Sequence, residues 1–210
     1  MSEIQTSRKP GGSKRDPVTL ALFGLAAVGV AAVVYVIAGA VIKPQGASDL
    51  KSLAHGAMAQ LQVTPAGAGA PAPNAPFLDA QGHSVTVAQL RSGVTILNLW
   101  ATWCAPCRTE MPTLAKLQAA YPGQIQVIPV AMDQPEDREK ARAFIGQYAP
   151  LPFYQDPKLA MTFALSPPAE GLPTTVIYDR AGHERARFSG GADWNGPEAR
   201  AVIEALLKGA

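Results

Sequence analysis

Hydrophobic patterning along the chain begins with an apolar block that carries no charge. The segment "PVTLALFGLAAVGVAAVVYVIAGAVI" lies between Asp16 and Lys43 and contains no acidic or basic residue. A helix needs roughly 20 apolar residues to cross the hydrocarbon core of a bilayer. The block is apolar on every face and has no polar side to show to water, which argues against a core helix of a globular domain. We therefore predict a transmembrane anchor over residues 18–42.

The charges beside this block predict its orientation. Four cations precede it, whereas only Lys43 and Lys51 follow closely, so the positive-inside bias keeps residues 1–17 in the cytoplasm. Everything after the anchor is then exported, which in a bacterium places it in the periplasm. A cleaved signal peptide is the alternative, because "AGA" at residues 38–40 suits a signal peptidase, although the apolar run exceeds the 7 to 15 residues typical of such signals.

Residues 43–76 differ in character and are predicted to be a periplasmic linker. "SDLKSLAHGAMAQLQ" has apolar residues at helical spacing and predicts one short helix. "TPAGAGAPAPNAP" follows and consists mostly of Pro, Gly and Ala without charge. Such a composition indicates a semi-rigid spacer that holds the next domain away from the membrane.

The pattern over residues 77–210 is that of one mixed α/β domain. Two runs are rich in apolar and β-branched residues, "VTILNLWA" and "IQVIPVAM". The helical pattern "TEMPTLAKLQAAY" separates them, which indicates a parallel βαβ unit. "TTVIYD" and "HERARFSG" flank "RAGH" and indicate an antiparallel hairpin. "GHSVTV" predicts a short strand, and "AQLRSG", "EDREKARAFIGQYA" and "PEARAVIEALLK" predict helices. The sheet is expected to be buried on both faces.

Charge and cysteine content narrow the function. A net charge of +2 lacks the basic excess typical of nucleic-acid-binding domains. The chain has two cysteines, Cys104 and Cys107, in the motif "CAPC". Structural zinc would need four ligands, and haem attachment would need His where Arg108 stands. A purely structural disulfide would close too short a loop to stabilise the fold much.

A redox-active dithiol is the interpretation that the surroundings favour. The pair follows an apolar strand and begins a helix, where unpaired amides and the helix dipole favour a thiolate at Cys104. Cys104 would attack a partner disulfide, and Cys107, one turn inside the helix, would resolve the mixed disulfide. Pro106 lacks an N–H, which costs nothing in a first helical turn.

These motifs resemble the thioredoxin-like family. The resemblance rests on "WCAPC" after an apolar strand, on Pro112 and on "GLPTTVIYD". It implies a central mixed sheet flanked by helices, a cis bond before Pro173 and a kink at Pro112. It further implies a partner-binding surface, in which the backbone of Leu172 pairs with an extended partner chain. Its predicted members are Trp103, Pro106, Leu172, Pro173 and Thr174.

The chain is further similar to the membrane-anchored TlpA, ResA and CcmG type of this family. "RTEMP", the anchor, "LAHG" and "GGADW" carry this finer resemblance. Cytosolic thioredoxin has a buried, proton-handling Asp where this chain has Asn98, which cannot titrate. Glu110 lies on the same helix face as Cys107, and the resemblance implies that it handles protons there. The alternative is an ordinary exposed Glu; Trp194 of "GGADW" is predicted to be a packing residue.

The resemblance implies a periplasmic thiol:disulfide oxidoreductase that reduces cysteines of exported metalloproteins or their copper chaperone during cytochrome oxidase biogenesis. Its electrons would come from a membrane thiol donor of the CcdA/DsbD type, because the compartment is oxidising. Beyond the dithiol we expect no cofactor and no metal, and we expect a monomer. Two alternatives stay open: a cytochrome c maturation thioredoxin that reduces haem-binding cysteines, and a dithiol protein that binds copper without turnover.

Overall fold

The computed structural model describes residues 50–209. The predicted cytoplasmic tail, the predicted anchor and the start of the predicted linker lie outside these residues. Within residues 50–209, no helix is both long enough and apolar enough to cross a membrane.

The described chain forms one mixed sheet with helices on its faces. The strand order is β1-β8-β7-β4-β5-β6-β2-β3. The strands are β1 (Gln62–Val63), β2 (Phe77–Leu78), β3 (Ser84–Val85), β4 (Val94–Trp100), β5 (Ile125–Ala131), β6 (Tyr154–Gln155), β7 (Thr174–Tyr178) and β8 (Glu184–Ser189). The helices are α1 (Val87–Leu90), α2 (Ala105–Ala120), α3 (Arg138–Ile145), α4 (Ala160–Ala164) and α5 (Pro197–Leu207), with 3₁₀ turns at Gly56–Met58 and Pro135–Asp137.

Strand β4 is the centre of the sheet and positions the site. It runs parallel to β5, with α2 as the connection, and antiparallel to β7. Strands β7 and β8 form an antiparallel hairpin across "RAGH". The predicted βαβ unit and hairpin are therefore both confirmed, as is the mixed α/β class.

The two faces of β4 pack into two separate apolar clusters. Ile96 and Trp100 join the cluster that contains α2, whereas Leu97 and Leu99 join the cluster on the other face. Side chains alternate between faces along a strand, so Asn98 lies on the α2 side. All seven residues of β4 are buried, as the near-continuous apolar run predicts.

The structure corrects the prediction of a free linker. Leu50, Met58 and Leu61 are buried in the cluster around α2, and β1 pairs with β8. The spacer also follows the domain surface, where its backbone exchanges hydrogen bonds with residues 182–184. The apolar residues of this segment thus gain burial that a solvated spacer would forgo.

The short helix predicted in this segment is present only in its first part. Residues 50–53 are helical, and a separate 3₁₀ turn follows at Gly56–Met58. Gly56 begins this turn with a left-handed backbone, φ +54°, a conformation that costs glycine no steric penalty because it has no Cβ. The interruption aims Met58 and Leu61 into the core.

Replacing Met58 with Ala should destabilise the domain by about 2–5 kcal/mol, because it empties a filled core position. Met58 is 1% exposed, whereas nearby Gln60 is exposed. The matched control Gln60→Ala should stay within about 0.5 kcal/mol of the wild type. Urea unfolding measures both values, and equal stabilities of the two variants would contradict the docking of this segment.

Candidate active site

The two cysteines lie where β4 gives way to α2. Cys104 is the N-cap of α2, and it forms a disulfide with Cys107 in the first turn. The backbone N–H of Cys107 also donates to Cys104 Sγ at 3.3 Å. One of the unpaired amides of the helix N-terminus is thus directed at the sulfur predicted to attack, which favours negative charge there.

The two cysteine residues differ in solvent exposure. Cys104 is 6% exposed and Cys107 is 0% exposed. A partner's disulfide can therefore approach Cys104, whereas Cys107 meets only atoms of its own domain. This asymmetry matches the predicted division between attack and resolution.

A buried aspartate holds the turn that leads into the dithiol. Asp133 follows β5 and is 0% exposed. Its carboxylate accepts from the backbone N–H of Thr102 at 3.1 Å and from the Thr102 hydroxyl at 2.6 Å. Hydrogen bonds to a carboxylate are among the stronger ones in proteins, so Asp133 fixes the backbone two residues before Cys104. Sequence reasoning missed this contact, because nothing local relates residues 102 and 133.

Trp103 and Pro106, which flank Cys104 along the chain, belong to the predicted partner-binding surface and are both exposed, Trp103 by 67%. Leu172 is half-buried, and its bond to Pro173 is cis, as predicted. Trp103 and Leu172 line one cavity of about 240 Å³. The structure therefore brings the side chain before Cys104 and the side chain before Pro173 together at one cavity.

Pro173 and Thr174 are the buried members of this predicted set, and Thr174 is bonded within its own domain. Its side chain is fully buried, and its hydroxyl donates to the Gly171 carbonyl at 2.7 Å. Its backbone pairs within the sheet with Leu99 and Ser189. Thr174 thus shapes the turn around Pro173, and its side chain does not face a partner.

Glu110 is buried on the inner face of α2. It is 2% exposed, so the alternative of an ordinary surface Glu is wrong. Its Oε1 accepts from Asn98 Nδ2 at 2.8 Å, and its Oε2 accepts from Trp194 Nε1 at 2.9 Å and from the backbone N–H of Ala192 at 3.1 Å. Desolvation raises the pKa of Glu110 to about 7, and these three hydrogen bonds oppose the rise.

Asn98 occupies the β4 position next to this carboxylate. Its Nδ2 donates both to Glu110 and to the Thr175 hydroxyl on β7, the latter at 2.9 Å. The side chain is fully buried and cannot titrate. Within this polar group, Glu110 is therefore the side chain that can exchange a proton near neutral pH.

Trp194 is both a packing residue and a donor to Glu110. It is 1% exposed and packs edge-on against Phe188 at 5.9 Å between ring centroids, which agrees with its predicted packing role. Sequence reasoning missed its hydrogen bond. A signal was available, because a buried indole N–H usually has a hydrogen-bond acceptor.

The loop that carries Trp194 lies very close to the helix that carries the dithiol. A Cβ added at Gly191 would come within 3.1 Å of Pro106 Cβ and 3.2 Å of its carbonyl oxygen. Only glycine allows this approach without displacement. Beside the contact, a surface cavity of about 500 Å³ bounded by Pro106, Thr109, Thr113 and Asp193 reaches Glu110. The cavity gives the buried carboxylate a route to solvent.

The part of the chain that the structure describes contains no cluster of side chains suited to bind a metal ion. No group of three or more His, Cys, Asp or Glu side chains there is placed to share an ion. The dithiol itself is present as a disulfide.

Sequence comparison finds relatives among bacterial redox proteins. The family model described as Redoxin matches residues 67–206. Thiol-disulfide oxidoreductase ResA of Bacillus thuringiensis is 30% identical over 118 residues, which are 54% of this chain and 65% of ResA. Thioredoxin-like protein YneN of Bacillus subtilis is 32% identical over 124 residues, which are 54% of this chain and 66% of YneN. The chain thus spans just under two thirds of these relatives.

Structural comparison identifies the fold. A Chlorobium tepidum chain provisionally named thiol:disulfide interchange protein DsbE superimposes with a TM-score of 0.58 at 27% identity, over 66% of this chain and 96% of that one. A secreted thiol-disulfide isomerase from Corynebacterium glutamicum gives a TM-score of 0.56 at 22% identity, over 70% and 92%; this second likeness concerns the fold alone. The predicted thioredoxin-like fold is confirmed.

The raised pKa of Glu110 predicts a pH-dependent stability. Between pH 4.5 and about 7 the folded protein holds a proton that the unfolded chain has released, so the free energy of unfolding falls as pH rises. This contribution to the free energy of unfolding is about 3 kcal/mol; it is present in full below pH 4.5 and is lost above about pH 7. Glu110→Gln should remove this slope in urea unfolding of the oxidised protein.

The control for this measurement is Glu139→Gln, which changes an exposed carboxylate of the same type on α3. It should keep the wild-type slope between pH 4.5 and about 7. An identical slope in the Glu110 variant would show that the carboxylate is ionised throughout this range.

Proposed function

The chain belongs to the redoxin family, and from that premise we propose that it is a thiol–disulfide oxidoreductase that reduces partner proteins. The observation that carries the proposal is the disulfide at the start of α2, in which Cys104 keeps 6% exposure, Cys107 is fully enclosed and a buried carboxylate lies one turn further along. The printed names of the relatives, oxidoreductase and thioredoxin-like protein, support the same activity.

The first step is an attack by the reduced protein. The Cys104 thiolate forms a bond to one sulfur of a partner disulfide, and the partner's S–S bond breaks. The second partner sulfur leaves as a thiolate and takes up a proton. The helix N-terminus favours the thiolate that starts this step, and the accessible edge of Cys104 admits the partner.

The second step releases the partner. Cys107 loses its proton and attacks Cys104 Sγ, so the Cys104–Cys107 disulfide forms and the mixed disulfide breaks. The partner's remaining sulfur leaves as a thiolate. Two electrons have then passed from the dithiol to the partner, and the described state with its Cys104–Cys107 bond is the product.

Glu110 supports the second step as a proton acceptor. Because Cys107 is enclosed, its proton has to pass to a neighbouring group, and the carboxylate one helical turn away is the titratable candidate. A base works best when its pKa lies near the operating pH, and burial raises the pKa of Glu110 to about 7. The cavity beside Glu110 then returns the proton to solvent.

The biological setting is part of the proposal. The uncharged apolar block and the cations before it support a single-pass anchor with the thioredoxin-like domain in the periplasm. The resemblance to the TlpA type supports a role in cytochrome oxidase biogenesis, as a reductant of metal-binding cysteines supplied with electrons by a membrane thiol donor of the CcdA/DsbD type. Haem-binding cysteines of apocytochrome c are the alternative substrate.

Glu110→Gln should slow resolution of the mixed disulfide by about 10²-fold, because the enclosed Cys107 loses its proton acceptor. Stopped-flow reduction of a model disulfide between pH 6 and 9 measures the rate. The pH dependence attributed to Glu110 should vanish with it. Glu139→Gln is the matched surface control, and an unchanged Glu110→Gln rate across this range would contradict the proton role.

Cys107→Ser should trap the physiological partner, because Cys104 can attack while resolution is blocked. Identifying the captured chains from the membrane fraction distinguishes the candidates. Capture of copper-chaperone or oxidase chains would support the proposed role. Capture of apocytochromes would instead support a role in cytochrome c maturation. The double variant Cys104→Ser, Cys107→Ser is the control and should capture nothing.

Copper titration of the reduced protein tests the binding alternative. We expect disulfide reductase turnover and only weak copper binding. Tight stoichiometric copper binding without turnover would overturn the proposed activity.

A further inference from the structure

The two oxygens of the Glu110 carboxylate have different neighbours. Oε2 accepts from the backbone N–H of Ala192 and from Trp194 Nε1. Both groups are donors only, since neither an amide N–H nor an indole N–H has a lone pair to offer. A proton placed on Oε2 would therefore point at hydrogen atoms and would cost Glu110 these contacts.

Oε1 has a neighbour that can act in both ways. Asn98 Nδ2 donates to it at 2.8 Å, and the other end of the same amide is a carbonyl that can accept. Asn98 Oδ1 is buried and has no hydrogen-bond partner among residues 50–209. This orientation of the amide suits an ionised Glu110, because the Nδ2 group donates a hydrogen bond to a carboxylate oxygen.

We propose that Asn98 is a positioning residue whose side-chain amide reverses when Glu110 takes up a proton, so that Oε1 is the oxygen that exchanges it. With the carboxylate, Nδ2 donates to Oε1. With the carboxylic acid, Oδ1 takes the place of Nδ2 and accepts from the Oε1–H group. The inference rests on the proposed function only in that Glu110 exchanges a proton during turnover.

The surroundings of the amide tolerate both orientations. Nδ2 also contacts the Thr175 hydroxyl at 2.9 Å, and a hydroxyl can accept from Nδ2 or, after rotation, donate to Oδ1. The final torsion of an Asn side chain has a broad, roughly two-fold profile. The end of the amide that points away from Glu110 is buried and has no partner among residues 50–209, so the contacts with Glu110 and Thr175 decide between the two orientations.

The other titratable groups near Glu110 are few. Cys104 and Cys107 lie on the same helix, and Asp193 of the 190–194 loop lines the cavity that reaches the carboxylate. The elements that contribute Asn98, Thr175 and Trp194 face Glu110 with groups that do not titrate. In the oxidised protein the cysteines carry no proton, so the reversal can be followed for Glu110 alone.

Paired variants test the inference through the pKa of Glu110, followed by the ¹³C resonance of its carboxyl carbon in the oxidised full-length protein. Trp194→Phe removes a donor that serves only the carboxylate, so the pKa should rise by about one to two units. Asn98→Leu removes a group that serves both protonation states, so the pKa should move by less than about half a unit. A rise as large as that of Trp194→Phe would overturn the reversal.

The wild-type protein supplies a second measurement that does not depend on either variant folding. One Nδ2 proton of Asn98 faces Glu110 and the other faces Thr175, which does not titrate. If the amide reverses, both side-chain N–H resonances lose their partners and shift with the same midpoint as Glu110. If only the proton facing Glu110 shifts, the amide stays in place and the inference is wrong.

These readouts are separate from turnover. An unchanged rate in Glu110→Gln would overturn the proton role within the proposed function and leave the amide shifts to be observed. A stationary Thr175-facing proton would overturn the reversal and leave the proton role intact.

Discussion

A carboxylate enclosed in apolar surroundings has to be hydrogen-bonded, and the position of the dithiol depends on how this chain meets that requirement at Glu110. The donors come from the central strand and from the loop before α5, elements that the chain reaches 12 residues earlier and some 80 residues later. Glu110 in turn belongs to the helix that begins at the cysteines. Satisfying one charge therefore ties the sheet, the active-site helix and the last loop into a single arrangement.

A second carboxylate secures the other side of the same turn. Asp133 holds Thr102 just before Cys104, and Glu110 holds the helix just after Cys107. The two acids differ in environment. The Asp133 carboxylate accepts three hydrogen bonds from Thr102 alone, whereas the donors to Glu110 come from two elements, β4 and the loop before α5. Asp133 thus holds one loop, and Glu110 joins the active-site helix to two other parts of the fold.

Much of this arrangement could be predicted from local sequence. The long strands, α2 and the hairpin follow from periodicity and turn residues, and the dithiol follows from its place between an apolar strand and a helix. Helical spacing also placed Glu110 on the Cys107 face. Its hydrogen-bond donors could not be predicted, because Ala192 and Trp194 meet it only after the sheet has formed. Asp133 and Thr102 were missed for the same reason.

The docked segment at residues 50–63 shows another limit of local patterns. Its apolar residues have helical spacing, but the acceptors and the apolar surface that decide how it packs belong to the finished domain. The contact between α2 and the loop before α5 depends on the absence of a side chain at Gly191, where an added Cβ would meet Pro106 at 3.1 Å. A side chain there would press the loop away from α2, and this loop carries two of the donors to Glu110. A residue that contributes no chemistry of its own therefore sets how closely the proton site can be assembled.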